Sequence, residues 1–264
     1  MNIFVRELKA NFKSLIIWAV IVGLFVTVGV SKFSAYADNP EMLAILDTMP
    51  KALLDAFNLE AFNLTTLTGF FGVMQTYFAL MLAIAAAMWG SDIISKEERD
   101  KTVEFSLTLP VTRSKLVTAK ALAALVNCIL LLLFTWAVSL IAAQPYSPDQ
   151  EFLDFLSLQM QSLFLLQLIF LAIGLFLGCA MRQYRRAGSV AVGLLLATYF
   201  MSVASGMNEK LEFLKYLSPF KYFDAGLLAR EARIEPVYLG LTAAIIVVCV
   251  AGAYLTYSRR DLYI

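Results

Sequence analysis

Apolar residues in this chain gather in long unbroken runs separated by short polar stretches. Six runs contain no charged residue at all: 14–31, 69–89, 121–143, 159–180, 189–207 and 237–257. An α-helix rises about 1.5 Å per residue and bilayer hydrocarbon is about 30 Å thick, so about 20 apolar residues suffice to cross it. Each run predicts one membrane-spanning helix. The expected fold is therefore an all-α membrane protein, with residues 1–264 forming a single six-helix transmembrane domain.

The polar stretches carry patterns of their own. In residues 2–13, Phe4, Leu8 and Phe12 recur every four positions while Arg6, Lys9 and Lys13 take other faces. This predicts an amphipathic N-terminal helix lying in the headgroup region. Segment 32–68 shows a helical apolar stripe after Pro40 (Met42, Leu46, Met49, Leu53, Leu54, Phe57) opposite Asp47, Lys51 and Asp55. It is too short and too charged to span, and predicts an interfacial helix. Segment 208–235 predicts two short amphipathic pieces around Ser218–Asp224. Small residues form seams within the spans: Thr76, Ala79, Ala83, Ala86, Ala87 and Gly90; Gly174 and Gly178; Ser189, Gly193 and Ala197. Such seams let helix backbones approach closely, either within one chain or between two.

Composition agrees: 60% of the 264 residues are hydrophobic and 16% charged, with a mean hydropathy of +0.75. Soluble domains hold about 25% charged residues. The position of the charges sets the orientation. The N-terminus, the loops 90–120 and 181–188 and the C-terminal tail hold 14 of the 21 basic residues but only 7 of the 20 acidic ones. By the positive-inside rule these segments, and both termini, are cytoplasmic, and 32–68 and 208–235 lie outside. The five basic residues of 208–235 are balanced there by five acidic ones. The N-terminus also resembles a signal peptide, with Ala35-Tyr36-Ala37 before Asp38. Its apolar core of about 18 residues is long for one, Lys32 interrupts the approach, and the segment reads as a retained first span.

Chemistry is conspicuous by what is missing. The chain has no histidine, which removes imidazole from catalytic and metal-binding schemes. Cys128, Cys179 and Cys249 sit singly in three different spans, without metal spacing. No ionisable group lies inside a predicted span, where an ion-coupled carrier normally keeps one. None of the 13 glycines precedes a lysine, so no phosphate-cradling G-x-x-x-x-G-K-[ST] loop exists. Uphill transport by this chain would have to draw its energy from another subunit. No cofactor site or nucleic-acid-binding pattern is expected, and the immediate surroundings are membrane lipid.

The densest charge falls in 90–120, where six bases and five acids interleave with Ile93, Ile94, Val103, Phe105, Leu107 and Leu109. Pro110 breaks the stretch and Thr112 or Ser114 is placed to cap the helix entering the third span. The segment suits docking in a groove of a soluble partner, or alternatively a solvated loop. Here the sequence resembles the permease subunit of type-2 (exporter-like) ABC transporters. The resemblance is carried by Glu97-Glu98, Lys101-Thr102-Val103-Glu104, Leu109-Pro110-Val111-Thr112-Arg113 and Lys120, in order and spacing. Leu217-Ser218-Pro219-Phe220 and Arg259-Arg260-Asp261-Leu262 are weaker matches. Lys101 and Thr112 depart from the usual Gly and Ser.

That resemblance implies two six-span permease chains, identical or related, over two cytoplasmic ABC ATPase subunits that bind ATP and Mg. The cell membrane of a bacterium or archaeon is the expected location. The 90–120 loop would be the cytoplasmic coupling helix, with Glu97, Glu98, Thr102, Glu104 and Arg113 at the ATPase interface and Leu109-Pro110 fixing the bend into the third span. The first, second and fifth spans would line the path, making Met74, Tyr77, Phe78, Met81, Tyr199 and Phe200 candidate lining residues. A membrane anchor or sensor that recruits a cytoplasmic partner without transport is the alternative; a passive channel fits less well.

Overall fold

The computed structural model describes residues 3–37, 62–99, 112–181, 183–207 and 209–259. Every described element is helical. Six helices are long and apolar enough to cross a membrane: α1 (Ile3–Phe33), α2 (Leu67–Arg99), α3 (Arg113–Ala143), α4 (Gln150–Ala180), α5 (Tyr184–Met207) and, last in the chain, α8 (Pro236–Arg259). Between α5 and α8 lie a 3-10 helix (Glu209–Tyr216) and two short helices, α6 (Pro219–Tyr222) and α7 (Ala225–Glu231).

The helices exceed the charge-free runs, because polar ends continue the helix past the apolar core. At about 1.5 Å per residue, the 31 residues of α1 reach well beyond 30 Å of hydrocarbon. Residues 3–13 are thus the opening turns of α1 rather than a separate surface helix; no Gly or Pro before Gly23 breaks the passage into the span. Where sequence gives a cap, the structure uses it. Thr112 accepts from Lys115 N at the start of α3, and Asp149 accepts from Phe152 N at 2.8 Å to begin α4. The interfacial helix expected within 32–68 falls almost wholly outside the described residues.

Helices α2 and α4 form the centre and share the most extensive contact; α1 packs chiefly on α3, α5 on α2, and α8 on α4. The small seam explains the centre. A Cβ at Gly178 would sit 2.7 Å from Ser91 O, and one at Gly90 2.9 Å from Leu175 N. Only hydrogen at these positions permits such an approach, so the Gly90 and Gly174/Gly178 seams close on each other within one chain. The Ser189–Gly193–Ala197 stripe behaves differently: a Cβ at Gly193 meets nothing. Helices α1, α5 and α8 bury little of their spans and expose Ile17, Leu24, Phe200, Val247 and Val248.

Candidate functional site

Two features dominate the end of the bundle where α1, α3 and α5 begin and α2, α4 and α8 finish. The first is an ion cluster. Lys120, on α3 and wholly buried, donates to Glu7 Oε1 at 2.9 Å and to the Ile93 carbonyl oxygen at 2.8 Å. Glu7, on α1 and 1% exposed, also forms an ion pair with Lys96, three residues before the end of α2, where the chain enters segment 100–111. Arg6 approaches Glu7 at 3.4 Å from the edge. One carboxylate thus holds α1, α2 and α3 together. Burying an ion is costly unless it is paired and its hydrogen-bonding capacity met, and the second acceptor for Lys120, Ile93 O, helps to meet it.

The neighbouring helix end is fastened too. Arg113, first residue of α3, donates from Nη1 to the carbonyl oxygens of Tyr257 and Ser258 at 3.3 Å each. Those carbonyls belong to the last turn of α8, where partial negative charge collects and a cation is favoured. Five residues on, Thr118 and Tyr254 join their hydroxyls at 2.7 Å.

The second feature is a cavity of about 800 Å³ between α1, α2 and α5, within the range of small-molecule sites. Its lining includes Asn11, Ser14, Trp89, Asp92, Ser189 and Leu196. Trp89 Nε1 donates to Ser14 Oγ at 2.9 Å, tying two walls. Asn11 is 8% exposed and its Nδ2 has no hydrogen-bond partner, an unmet donor beside the cavity. Helix α1 therefore turns its polar stripe inward, Glu7 and Asn11 being buried while Phe12 is 57% exposed.

The opposite end is closed by the segment between α5 and α8. Ser218 Oγ donates to Thr198 O at 2.7 Å, and Gln75 Nε2 donates to Phe223 O at 2.8 Å. Phe220 packs its ring against Phe170 and Tyr199, centroids 5.4 and 5.5 Å away. Burial first, and then the adjacent Tyr238 phenol, raise the Tyr222 hydroxyl above its ordinary pKa; that hydroxyl donates to Tyr216 O. A chamber of about 50 Å³ remains beneath, lined by Gln75, Tyr199 and Ser202 among others.

The residues singled out from sequence distribute unevenly. Glu97 and Glu98 lie in the last turn of α2, but their side chains, like Thr102, Glu104, Leu109 and Pro110 entirely, fall outside the described residues. Arg113 is described, on the α8 terminus. Of the path candidates, Met74 and Phe78 are sealed between α1 and α2, with Phe78 edge-on to Phe25 at 5.9 Å and Met74 packed where a Cβ at Gly29 would fall. Met81 is half-buried, Tyr77 exposed beside Phe25, Tyr199 at the small chamber, and Phe200 65% exposed. Glu7, Lys96, Asn11 and Trp89 were not anticipated as a site. Glu7 was nevertheless legible as the sole acid among Arg6, Lys9 and Lys13.

Six long apolar helices define a multi-pass membrane protein. The chain belongs to the ABC-2 family of transporter proteins: the model of that family, described as ABC-2 family transporter protein, matches residues 1–262. It is a permease of an ABC transporter, a family that implies association with an ABC ATPase. No curated protein matches the chain.

Proposed function

We propose that this permease forms the membrane path of an ATP-driven exporter and is worked by separate ATPase subunits through the segment joining α2 to α3. The observation that carries the reading is the fastening of both roots of that segment: Lys96 before it and Lys120 after it share Glu7, while Arg113 binds the end of α8. A stroke delivered to the segment would reach three or four spans as one body. Glu97, Glu98, Thr102, Glu104 and Arg113 form the docking surface in this reading, and Leu109-Pro110 sets the bend. ATP and Mg are held by the partner.

The bias of basic residues supports a cytoplasmic placement for this end and for both termini, in a bacterial or archaeal cell membrane. The cavity between α1, α2 and α5 is then the inward-facing entrance, and the α6–α7 segment the outer closure. A second permease chain, identical or related, would complete the path along the sparsely buried faces of α1 and α5. Alternation between inward and outward states would follow ATP binding and release.

The test is co-expression of the chain with a candidate ABC ATPase, purification of the two together and reconstitution. Expected is a stable complex hydrolysing ATP, with Arg113→Ala weakening the association. A stable, folded permease that recruits no ATPase would overturn the reading in favour of a membrane anchor.

A further inference from the structure

The first three turns of α1 carry one continuous inward face. Glu7, Asn11 and Ser14 succeed one another at helical spacing, so they move together as a rigid element. Glu7 is bound to the roots of the α2–α3 segment, Lys96 and Lys120. Asn11 and Ser14 line the 800 Å³ cavity. Helix α2 offers the matching ladder: Trp89 pairs with Ser14, the Ile93 carbonyl binds Lys120, and Lys96 pairs with Glu7. Elsewhere α1 and α2 meet sparingly, through Phe25 against Tyr77 and Phe78, Gly29 against Met74 and Phe33 against Phe70.

We infer that Glu7 is a positioning residue for energy coupling: it makes the N-terminal turns of α1 the lever that passes motion of the α2 and α3 ends to the cavity wall. This rests on the proposed function and extends it to a part of the chain that does not belong to the α2–α3 segment. Displacing α2 or α3 at this end without α1 would strip two ammonium groups from a carboxylate that water does not reach. That arrangement holds the three helix ends to a common movement, and Asn11 and Ser14 travel with Glu7. The cavity then changes shape when the ends move, with no contact between the ATPase and α1 required. Without Glu7 the α2 and α3 ends still receive the stroke, but α1 is left behind.

Hydrogen–deuterium exchange on the intact permease–ATPase complex tests this with no need to know the cargo. Protection is compared without nucleotide and after trapping with Mg-ATP and vanadate, over residues 3–37 and over 90–99 with 112–120. In the native complex both regions change on trapping. The double variant Glu7→Gln/Lys120→Met removes the fully buried pair and leaves one ammonium, that of Lys96, whose side chain is 13% exposed and can turn to solvent. It is expected to keep the change at 90–99 and 112–120 and to lose about fivefold of the change at 3–37. Glu7→Asp, which keeps the charge but is one carbon too short for both lysines, gives an intermediate loss and serves if the double variant does not assemble. A merely structural role would lower protection everywhere and leave the nucleotide response of 3–37 in proportion to that of 90–99. Full transmission to 3–37 in both variants would overturn the inference alone. A native complex with no response at 90–99 and 112–120 would overturn the proposed function beneath it.

Discussion

Lys120 and Glu7 stand 113 positions apart in the chain and meet at 2.9 Å where neither is exposed to solvent. Breaking such a pair from one side leaves a buried charge uncompensated, whereas replacing both partners by neutral side chains does not. Glu7→Ala alone, which strands both Lys120 and Lys96, is therefore expected to destabilise the protein by about 3–5 kcal/mol, and Lys120→Met, which leaves Glu7 paired with Lys96, by less. The double variant is expected to lose markedly less than the sum. Melting followed by size-exclusion chromatography in one detergent supplies the cycle; additive losses would mean that the two residues act independently.

The α2–α4 seam gives a prediction with a built-in control. Gly174→Leu must push a side chain into the backbone of α2 near Ala87 and Ser91, and overpacking of this kind costs about 1–3 kcal/mol or more. Gly193→Leu, on the open stripe of α5, is expected to leave the melting temperature nearly unchanged. Equal sensitivity at the two glycines would contradict the packing.

The closure at the far end hangs on few polar contacts. Ser218→Ala removes the bond to Thr198 O and is expected to cost about 1 kcal/mol. Because the effect is local, hydrogen exchange over 209–231 should rise while that of α2 and α4 stays as it was. Unchanged exchange in 209–231 would show that the aromatic contacts of Phe220 suffice.

The cavity between α1, α2 and α5 is open to a solute by its geometry. In a background of Cys128→Ala, Cys179→Ala and Cys249→Ala, cysteines at Ser189 and Gly193 are expected to react with a water-soluble maleimide. Cysteines at Ala191 and Leu195, both fully buried, are expected to react at least about tenfold more slowly. Running the reaction on sealed vesicles of known orientation also reports which side of the membrane the cavity faces.

Much of the bundle was legible because hydrocarbon imposes so simple a demand. A span has to be apolar and about 20 residues long, and each of the six charge-free runs lies inside one long helix. Thr112, before α3, is a side chain with an obvious local duty and performs it. The glycines of α2 and α4 marked a close approach, but their spacing said nothing about whose backbone would arrive; the fold supplied one from the same chain. The Glu7 cluster was less accessible. Phe4, Leu8 and Phe12 suggested an apolar face for the N-terminal turns, and charges are normally given to water. An acid satisfied by two distant lysines looks the same in a local pattern as one satisfied by solvent. The inward turn of Asn11 follows from Glu7 being anchored, and so was hidden with it.

In the proposed function, an ATPase takes hold of this permease at the segment between α2 and α3. A photoreactive benzoyl-phenylalanine placed at Glu104, within that segment, tests it directly in membranes containing the ATPase partner. Irradiation is expected to give a covalent permease–ATPase product that is absent when the same group is placed at Leu153, near the start of α4. A complex that stays intact on purification yet gives no such product from position 104 or from the neighbouring positions 97, 98 and 102 would contradict the account.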